Sequence, residues 1–223
     1  MSKELFFQAI LKFCAGVVLL GVLLFLPAGT LYYWNAWLLM GILFVPVFFA
    51  GIILMFKNPD LLKKRLNSKE KETEQNLVIK LSALMFVLGF ISAGLNFRFQ
   101  FIVLPEWVSW VAAVLFLLSF LLYAEVLREN TFLSRTVEVQ ENQTVIDTGL
   151  YGIVRHPMYS ATIILFLSMP LVLGSLISFV VFLVYPAIIA KRIRNEEKVL
   201  EESLTGYVEY KEKVKYRVIP FLW

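Results

Sequence analysis

Cysteine and histidine are almost missing from this chain, whose 223 residues include one of each, Cys14 and His156. A single cysteine excludes an internal disulfide framework and a thiolate metal cluster. One histidine and one cysteine also argue against a zinc site of the usual ligands, so we expect no metal. Asp147, His156 and Ser160 invite a hydrolase triad, but the sequence has no G-x-S-x-G motif to support one. Neither G-x-G-x-x-G nor G-x-x-x-x-G-K-[ST] is present, which excludes those two kinds of nucleotide-binding loop.

Charge is scarce as well. Charged residues make up 17% of the chain and hydrophobic residues 59%, with a mean hydropathy of +0.75. A soluble domain has about 25% charged and 45–50% apolar residues. The composition therefore predicts an all-α, polytopic membrane protein. Its net charge of +4 fits positively charged cytoplasmic loops, and we expect no nucleic-acid partner. The first apolar segment lacks a small-residue cleavage site, so no cleavable signal is predicted.

Four apolar runs approach the ~20 residues that a helix needs to cross a bilayer. We predict helical spans at residues 9–26, 36–56, 81–99 and 107–127. Aromatic residues 32–34, between the first two spans, are typical of a membrane interface. Residues 57–80 form a polar segment, and its basic residues 63–65 suit anionic lipid headgroups.

The distribution of basic residues predicts the orientation. With the N-terminus in the cytoplasm, Arg98 is the only one of 21 Lys and Arg residues that falls in an outer loop. Cytoplasmic loops carry an excess of basic residues. We therefore predict that both termini are cytoplasmic and that the fourth span returns to the cytoplasm at Arg128.

The C-terminal region contains an apolar run that is too long for one span. Residues 158–190 are interrupted by Pro170, Gly174 and Pro186, which predicts a re-entrant helical hairpin with Pro170 and Gly174 at its tip. Both ends of this hairpin, residues 157–190, would face the cytoplasm.

These segments divide the chain into two predicted regions. Residues 1–127 form the four-span membrane region. Residues 128–223 form the functional region, with an irregular or weakly extended connection up to residue 146, the hairpin, and a cytoplasmic helical tail at 191–223.

Two polar blocks flank the hairpin. The first, GLYGIVRHPMYSA at 149–161, combines cationic, hydrogen-bonding and aromatic groups. Pro157 suits the first turn of a helix, whose free N–H groups would favour an anion beside Arg155. The plainer interpretation is that Arg155 anchors a span at the interface and Pro157 only begins the next helix.

The second block, KRIRNEEKVLEE at 191–202, follows the hairpin. Arg192 and Glu196 are one helical turn apart and share a face. Such charge runs are usually solvated helix ends. Here both ends of one hairpin must lie close together, and charged groups that face a cavity at a membrane boundary are functional candidates. We predict that the two blocks hold a small charged molecule. The tail tyrosines Tyr207, Tyr210 and Tyr216 either line an aromatic wall of this site or pack on the membrane interface.

The segments GLYGIVRHPMY, NEEKVL, YVEYKEKV and VIPF resemble the isoprenylcysteine carboxyl methyltransferase family, over about residues 126–223. The resemblance implies an integral membrane enzyme that uses S-adenosylmethionine, with its active site on the cytoplasmic side. It implies membrane lipids and a lipidated or lipid-like methyl acceptor as partners. The superfamily also includes phospholipid N-methyltransferases.

The resemblance also implies roles for individual residues. Arg155 would lie near the reacting group, Arg192 on the substrate side, and Glu196 opposite the amino group of the cofactor. The other implied cofactor contacts are Gln143, Thr144, Val145, Ile146, Tyr151, His156, Pro157, Met158, Tyr159 and Glu197.

The chemistry favours a carboxylate as methyl acceptor, because it is ionised near neutral pH and needs no general base. Arginine can hold a carboxylate with two hydrogen bonds. An amine would first have to lose a proton, for which His156 is available. The alternatives are a phospholipid N-methyltransferase, a membrane reductase of the sterol-reductase kind with a nicotinamide cofactor, and a non-enzymatic binding module.

Overall fold

The computed structural model describes residues 3–66, 73–133, 137 and 139–223. Its α-helices are α1 (Lys3–Ala28), α2 (Trp34–Lys57), α3 (Pro59–Leu66), α4 (Thr73–Phe99), α5 (Glu106–Glu129), α6 (Pro157–Val172), α7 (Leu176–Phe182), α8 (Tyr185–Ser203) and α9 (Tyr207–Lys213). A 3₁₀ turn covers Gly149–Gly152, and no strand occurs in the described ranges. The predicted all-α membrane fold is confirmed.

The predicted spans correspond to α1, α2, α4 and α5, each of which is long and apolar enough to cross a membrane. A fifth such stretch, Leu176–Ser203, combines α7 and α8. α4 begins at Thr73, inside the segment predicted as a polar loop, because hydropathy detects only the part of a helix that suits lipid. The rest of that loop contains α3, and residues 67–72 lie outside the described residues.

Glycines let the membrane helices approach one another closely. A Cβ added to Gly94 on α4 would lie 2.6 Å from the Leu24 carbonyl oxygen of α1, and one added to Gly89 would lie 2.2 Å from the Phe182 ring of α7. The Ser178 hydroxyl donates to the Gly89 carbonyl at 2.8 Å. Small residues and interhelical hydrogen bonds are the usual basis of helix packing in lipid, where apolar burial gives little drive.

The predicted hairpin is confirmed as two helical arms, α6 and the α7–α8 pair. Gly174 lies in the turn with φ +67°, which suits glycine, whereas Pro170 lies within the last turn of α6. Pro186 is in the first turn of α8, so the break between α7 and α8 falls before it. The sequence predicts that the hairpin ends at residue 190 and the tail begins at 191, but α8 runs continuously through both positions.

The hairpin turn lies at the end of the bundle where α2 and α5 begin. The Tyr33 hydroxyl donates to the Leu173 carbonyl at 2.6 Å, and the Asn35 amide donates to the Val172 carbonyl at 2.9 Å. The hairpin therefore runs along the whole bundle, and both of its ends reach the opposite end. We call that end, where α5 and α8 finish, the site end.

The tail folds back on the hairpin base. Arg155 N–H donates to the Tyr216 carbonyl at 2.9 Å, and His156 N–H to the Arg217 carbonyl at 2.8 Å. The Ser160 hydroxyl donates to the Val218 carbonyl at 2.7 Å. These bonds hold the tail against the start of α6 and close one side of the site.

Candidate active site

A cavity lies at the site end, bounded by the connection after α5, the start of α6, α8 and α9. It encloses about 860 Å³ including its open mouth. Its polar lining residues are Asn130, Gln143, Thr144, Tyr151, Arg155, His156, Tyr159, Arg192, Glu196, Tyr207 and Tyr210. Its apolar lining residues are Phe132, Leu133, Val137, Val145, Ile146, Met158, Val199, Leu200 and Leu204.

The 3₁₀ turn before α6 is fixed to the end of α5. Leu150 N–H donates to the Glu129 carboxylate at 3.0 Å. Gly149 has φ +51°, and a Cβ there would collide with the same carboxylate, so the turn requires glycine. The turn places Tyr151 in the cavity wall, with its hydroxyl accepting from the Asn130 amide at 3.0 Å. Burial raises the pKa of Tyr151, which keeps the phenol neutral.

Glu197 is the centre of a buried ionic network and has only 3% of its surface exposed. Its Oε1 accepts from Arg155 Nε at 2.8 Å and lies 3.3 Å from His156 Nε2. Its Oε2 accepts from Arg217 Nε at 2.8 Å. Arg155 Nη1 also donates to the carbonyls of Val214 at 2.6 Å and Lys215 at 2.9 Å. The network joins α8, the start of α6 and the tail.

Glu196 faces the cavity instead, with 24% of its side chain exposed. Its Oε2 accepts from the Tyr159 hydroxyl at 2.5 Å, and that hydroxyl accepts from Arg192 Nε at 2.8 Å. Its Oε1 lies 3.9 Å from His156 Nδ1. Arg192 and Glu196 therefore share a face of α8, as the spacing predicts, but a tyrosine from α6 connects them.

Gln75, at the start of α4, is fully buried and reaches the same cluster. Its Oε1 lies 3.4 Å from Arg192 Nη1, and its Nε2 lies 3.4 Å from the Arg192 carbonyl. Sequence analysis missed Gln75 because it lies in a polar segment with no motif. The only signal is its position in the sequence just before an apolar span.

The tail provides an aromatic wall. The Tyr210 hydroxyl donates to the Tyr151 carbonyl at 2.7 Å, which joins α9 to the 3₁₀ turn. Tyr207 and Tyr210 pack with Leu204 and Val214 in a small apolar cluster. Burial raises the pKa of both tyrosines, so their phenols remain neutral hydrogen-bonding groups.

Most of the predicted site residues line this one cavity. They are Gln143, Thr144, Val145, Ile146, Tyr151, Arg155, His156, Met158, Tyr159, Arg192 and Glu196. Pro157 and Glu197 do not line it. Pro157 begins α6, and Glu197 faces the ionic network behind the wall.

The hydrolase triad is not assembled. Asp147 pairs with Lys213 at 2.7 Å, and the Ser160 hydroxyl donates to the Val218 carbonyl. The hydrogen bond from Lys213 lowers the pKa of the Asp147 carboxyl.

Comparison with known proteins supports the resemblance found in the sequence. Residues 110–202 match the model of the isoprenylcysteine carboxyl methyltransferase (ICMT) family. The fold is similar to the solved structure of the eukaryotic intramembrane Ras methyltransferase ICMT. That similarity has a TM-score of 0.58 at 18% sequence identity and covers 96% of this chain and 77% of that one. The predicted resemblance and its helical membrane fold are confirmed.

A second relative is a reductase. The Delta(14)-sterol reductase TM7SF2 of Mus musculus is 30% identical over 91 residues, which are 40% of this chain. The matched part is only 22% of the length of that reductase.

Proposed function

We propose that this chain, whose residues 110–202 are related to the ICMT family, is a membrane-embedded methyltransferase. It uses S-adenosylmethionine to methylate a carboxylate on a lipidated or lipid-like acceptor. The observation that carries the proposal is the chain of contacts from Glu196 through Tyr159 to Arg192 in the wall of one cavity. A carboxylate that suits a cationic donor thus lies close to a guanidinium that suits an anionic acceptor.

The cavity residues fit S-adenosylmethionine. The Glu196 carboxylate and the faces of Tyr151, Tyr159 and Tyr207 suit a cation. Val145, Leu200 and other apolar residues of the lining suit a flat ring system. The bound cofactor would supply a methyl group on a sulfonium for in-line displacement, so the main task of the protein is positioning.

Arg192 is the residue best placed to hold the acceptor. Its guanidinium lies in the cavity wall, oriented by Tyr159 and Gln75. A planar guanidinium can bind a carboxylate with two hydrogen bonds. A carboxylate is already ionised and requires no proton transfer.

The surroundings of His156 favour a carboxylate acceptor over an amine. His156 is buried, and its Nε2 lies 3.3 Å from the Glu197 carboxylate. Its Nε2 is therefore engaged in the ionic network, which leaves only Nδ1, on the side of Glu196, to collect a proton from an amine.

Arg155 lines the cavity, and its contacts support a positioning role in place of the one near the reacting group that the resemblance implies. Its Nε donates to Glu197, and its Nη1 donates to two tail carbonyls. We assign Arg155 to positioning, because it holds the tail and His156 against the start of α6.

Calorimetry on the detergent-purified protein tests the proposal against the reductase alternative that the sterol-reductase match favours. We expect S-adenosylmethionine and its demethylated product to bind, and NADPH to give no heat of binding. Binding of NADPH alone would support a reductase. Binding of neither ligand would support a non-enzymatic module.

A further inference from the structure

Tyr207 has a buried hydroxyl without a partner. Only 4% of the residue is exposed, and the hydroxyl oxygen has no hydrogen-bond partner among the described residues. The hydroxyls of Tyr151, Tyr159 and Tyr210, which line the same cavity, are all hydrogen-bonded. An unsatisfied buried polar group destabilises a fold, and native structures rarely leave one. A partner from outside the chain would explain why Tyr207 is a tyrosine.

The charges around Tyr207 indicate which kind of partner would bind. Glu196 and Glu197 both raise the pKa of the Tyr207 phenol in addition to its burial, while Arg155 lowers it. Arg155, Arg217 and His156 surround the Glu197 carboxylate. Glu196, by contrast, is partly exposed and lines the cavity together with Tyr207. A neutral phenol that lines the same cavity as a partly exposed carboxylate suits a cationic hydrogen-bond donor.

We infer that Tyr207 and Glu196 together bind the ammonium group of the methyl donor. This inference rests on the proposed function. Of the two cationic groups of S-adenosylmethionine, the sulfonium and the ammonium, only the ammonium has N–H groups to donate to the phenol oxygen. Tyr207 is thus a further cofactor-binding residue, contributed by α9. It would link donor binding to the docking of the tail.

Two ligands and two matched variants test the inference. S-adenosylhomocysteine carries the ammonium, and 5′-methylthioadenosine lacks the whole amino-acid end. For Tyr207→Phe we expect the affinity for S-adenosylhomocysteine to fall about tenfold, with the affinity for 5′-methylthioadenosine unchanged. Titration calorimetry gives both dissociation constants.

Tyr210→Phe is the control, because its hydroxyl already donates to the Tyr151 carbonyl. In ligand-free protein we expect Tyr210→Phe to lower the thermal unfolding temperature and Tyr207→Phe not to lower it, since the latter removes an unpaired group. An equal affinity loss for both ligands in Tyr207→Phe, or no loss for either, would overturn the ammonium assignment alone. Failure of the unchanged protein to bind S-adenosylhomocysteine would overturn the proposed function and this subsite with it.

Discussion

Adjacent carboxylates on α8 lie in different surroundings. Glu196 faces the cavity and contacts Tyr159, whereas Glu197 lies behind the wall with Arg155 and Arg217. Successive residues on a helix point about 100° apart, so neighbours in sequence can face different surroundings. The sequence predicted an acidic pair at this site but could not separate the two roles, since the separation depends on where the tail docks.

Neutralising the first of these carboxylates should mainly reduce ligand affinity, whereas neutralising the second should mainly reduce the stability of the fold. Glu196→Gln should weaken S-adenosylmethionine binding roughly tenfold to a hundredfold with little change in stability, because a charge-assisted contact is lost. Glu197→Gln should lower the free energy of unfolding by about 3–5 kcal/mol, because it leaves buried Arg155 without its counter-charge. Calorimetry and unfolding in detergent measure both effects. Equal stability losses in the two variants would contradict the division of roles.

Arg192 is expected to act on the acceptor more than on the donor. Arg192→Ala should reduce turnover on a prenylated cysteine acceptor while S-adenosylhomocysteine affinity changes little. Arg192→Lys should rescue activity only in part, because an ammonium cannot reproduce the planar fork of donors. Full activity in the lysine variant would instead make Arg192 an interfacial anchor.

At the level of elements, the hairpin brings the site together. Its two ends hold Tyr159 on α6 and Glu196 on α8, residues far apart in sequence that are hydrogen-bonded at 2.5 Å. The apolar run with internal proline and glycine was sufficient to predict this proximity. The role of α4 was not predictable, because a buried polar contact such as that of Gln75 leaves no periodic pattern in a polar segment.

Gln75 connects α4 to Arg192, which we propose holds the methyl acceptor. Gln75→Leu removes its contacts with Arg192, so we expect the KM for the acceptor to rise severalfold while S-adenosylhomocysteine affinity stays the same. Gln75→Glu keeps an oxygen that can accept a hydrogen bond from the guanidinium. Its KM for the methyl acceptor should therefore stay close to that of the unchanged protein. Steady-state kinetics and calorimetry check the split. A parallel loss of donor affinity would show that Gln75 only supports the fold.

On the scale of the whole molecule, the two ends of the bundle differ in charge. The Arg98 guanidinium lies 3.5 Å from a Cβ built on Gly29, at the end opposite the site. Lys63 and Arg192 belong to the site end, where α3 follows α2 and α8 finishes. The predicted segregation of basic residues therefore corresponds to the two ends of the bundle, although the sequence could not show how the hairpin turn is held at the far end.

Cysteine labelling can establish which end faces the cytoplasm. In a Cys14→Ser background, we expect Lys63→Cys to react with a membrane-impermeant maleimide only after right-side-out vesicles are opened. Gln100→Cys, exposed at the opposite end, should react in intact vesicles. The reverse pattern would place the site outside the cell and refute the orientation derived from the basic residues.

The central claim, methyl transfer to a carboxylate, is tested most directly by following a labelled methyl group. Purified protein in lipid nanodiscs is incubated with methyl-labelled S-adenosylmethionine and S-farnesylcysteine, with the Arg192→Ala variant in parallel. We predict that the unchanged protein transfers label into an alkali-labile methyl ester and that the variant loses most of this activity. Absence of labelled ester from the unchanged protein, or label only in an alkali-stable product, would contradict the claim.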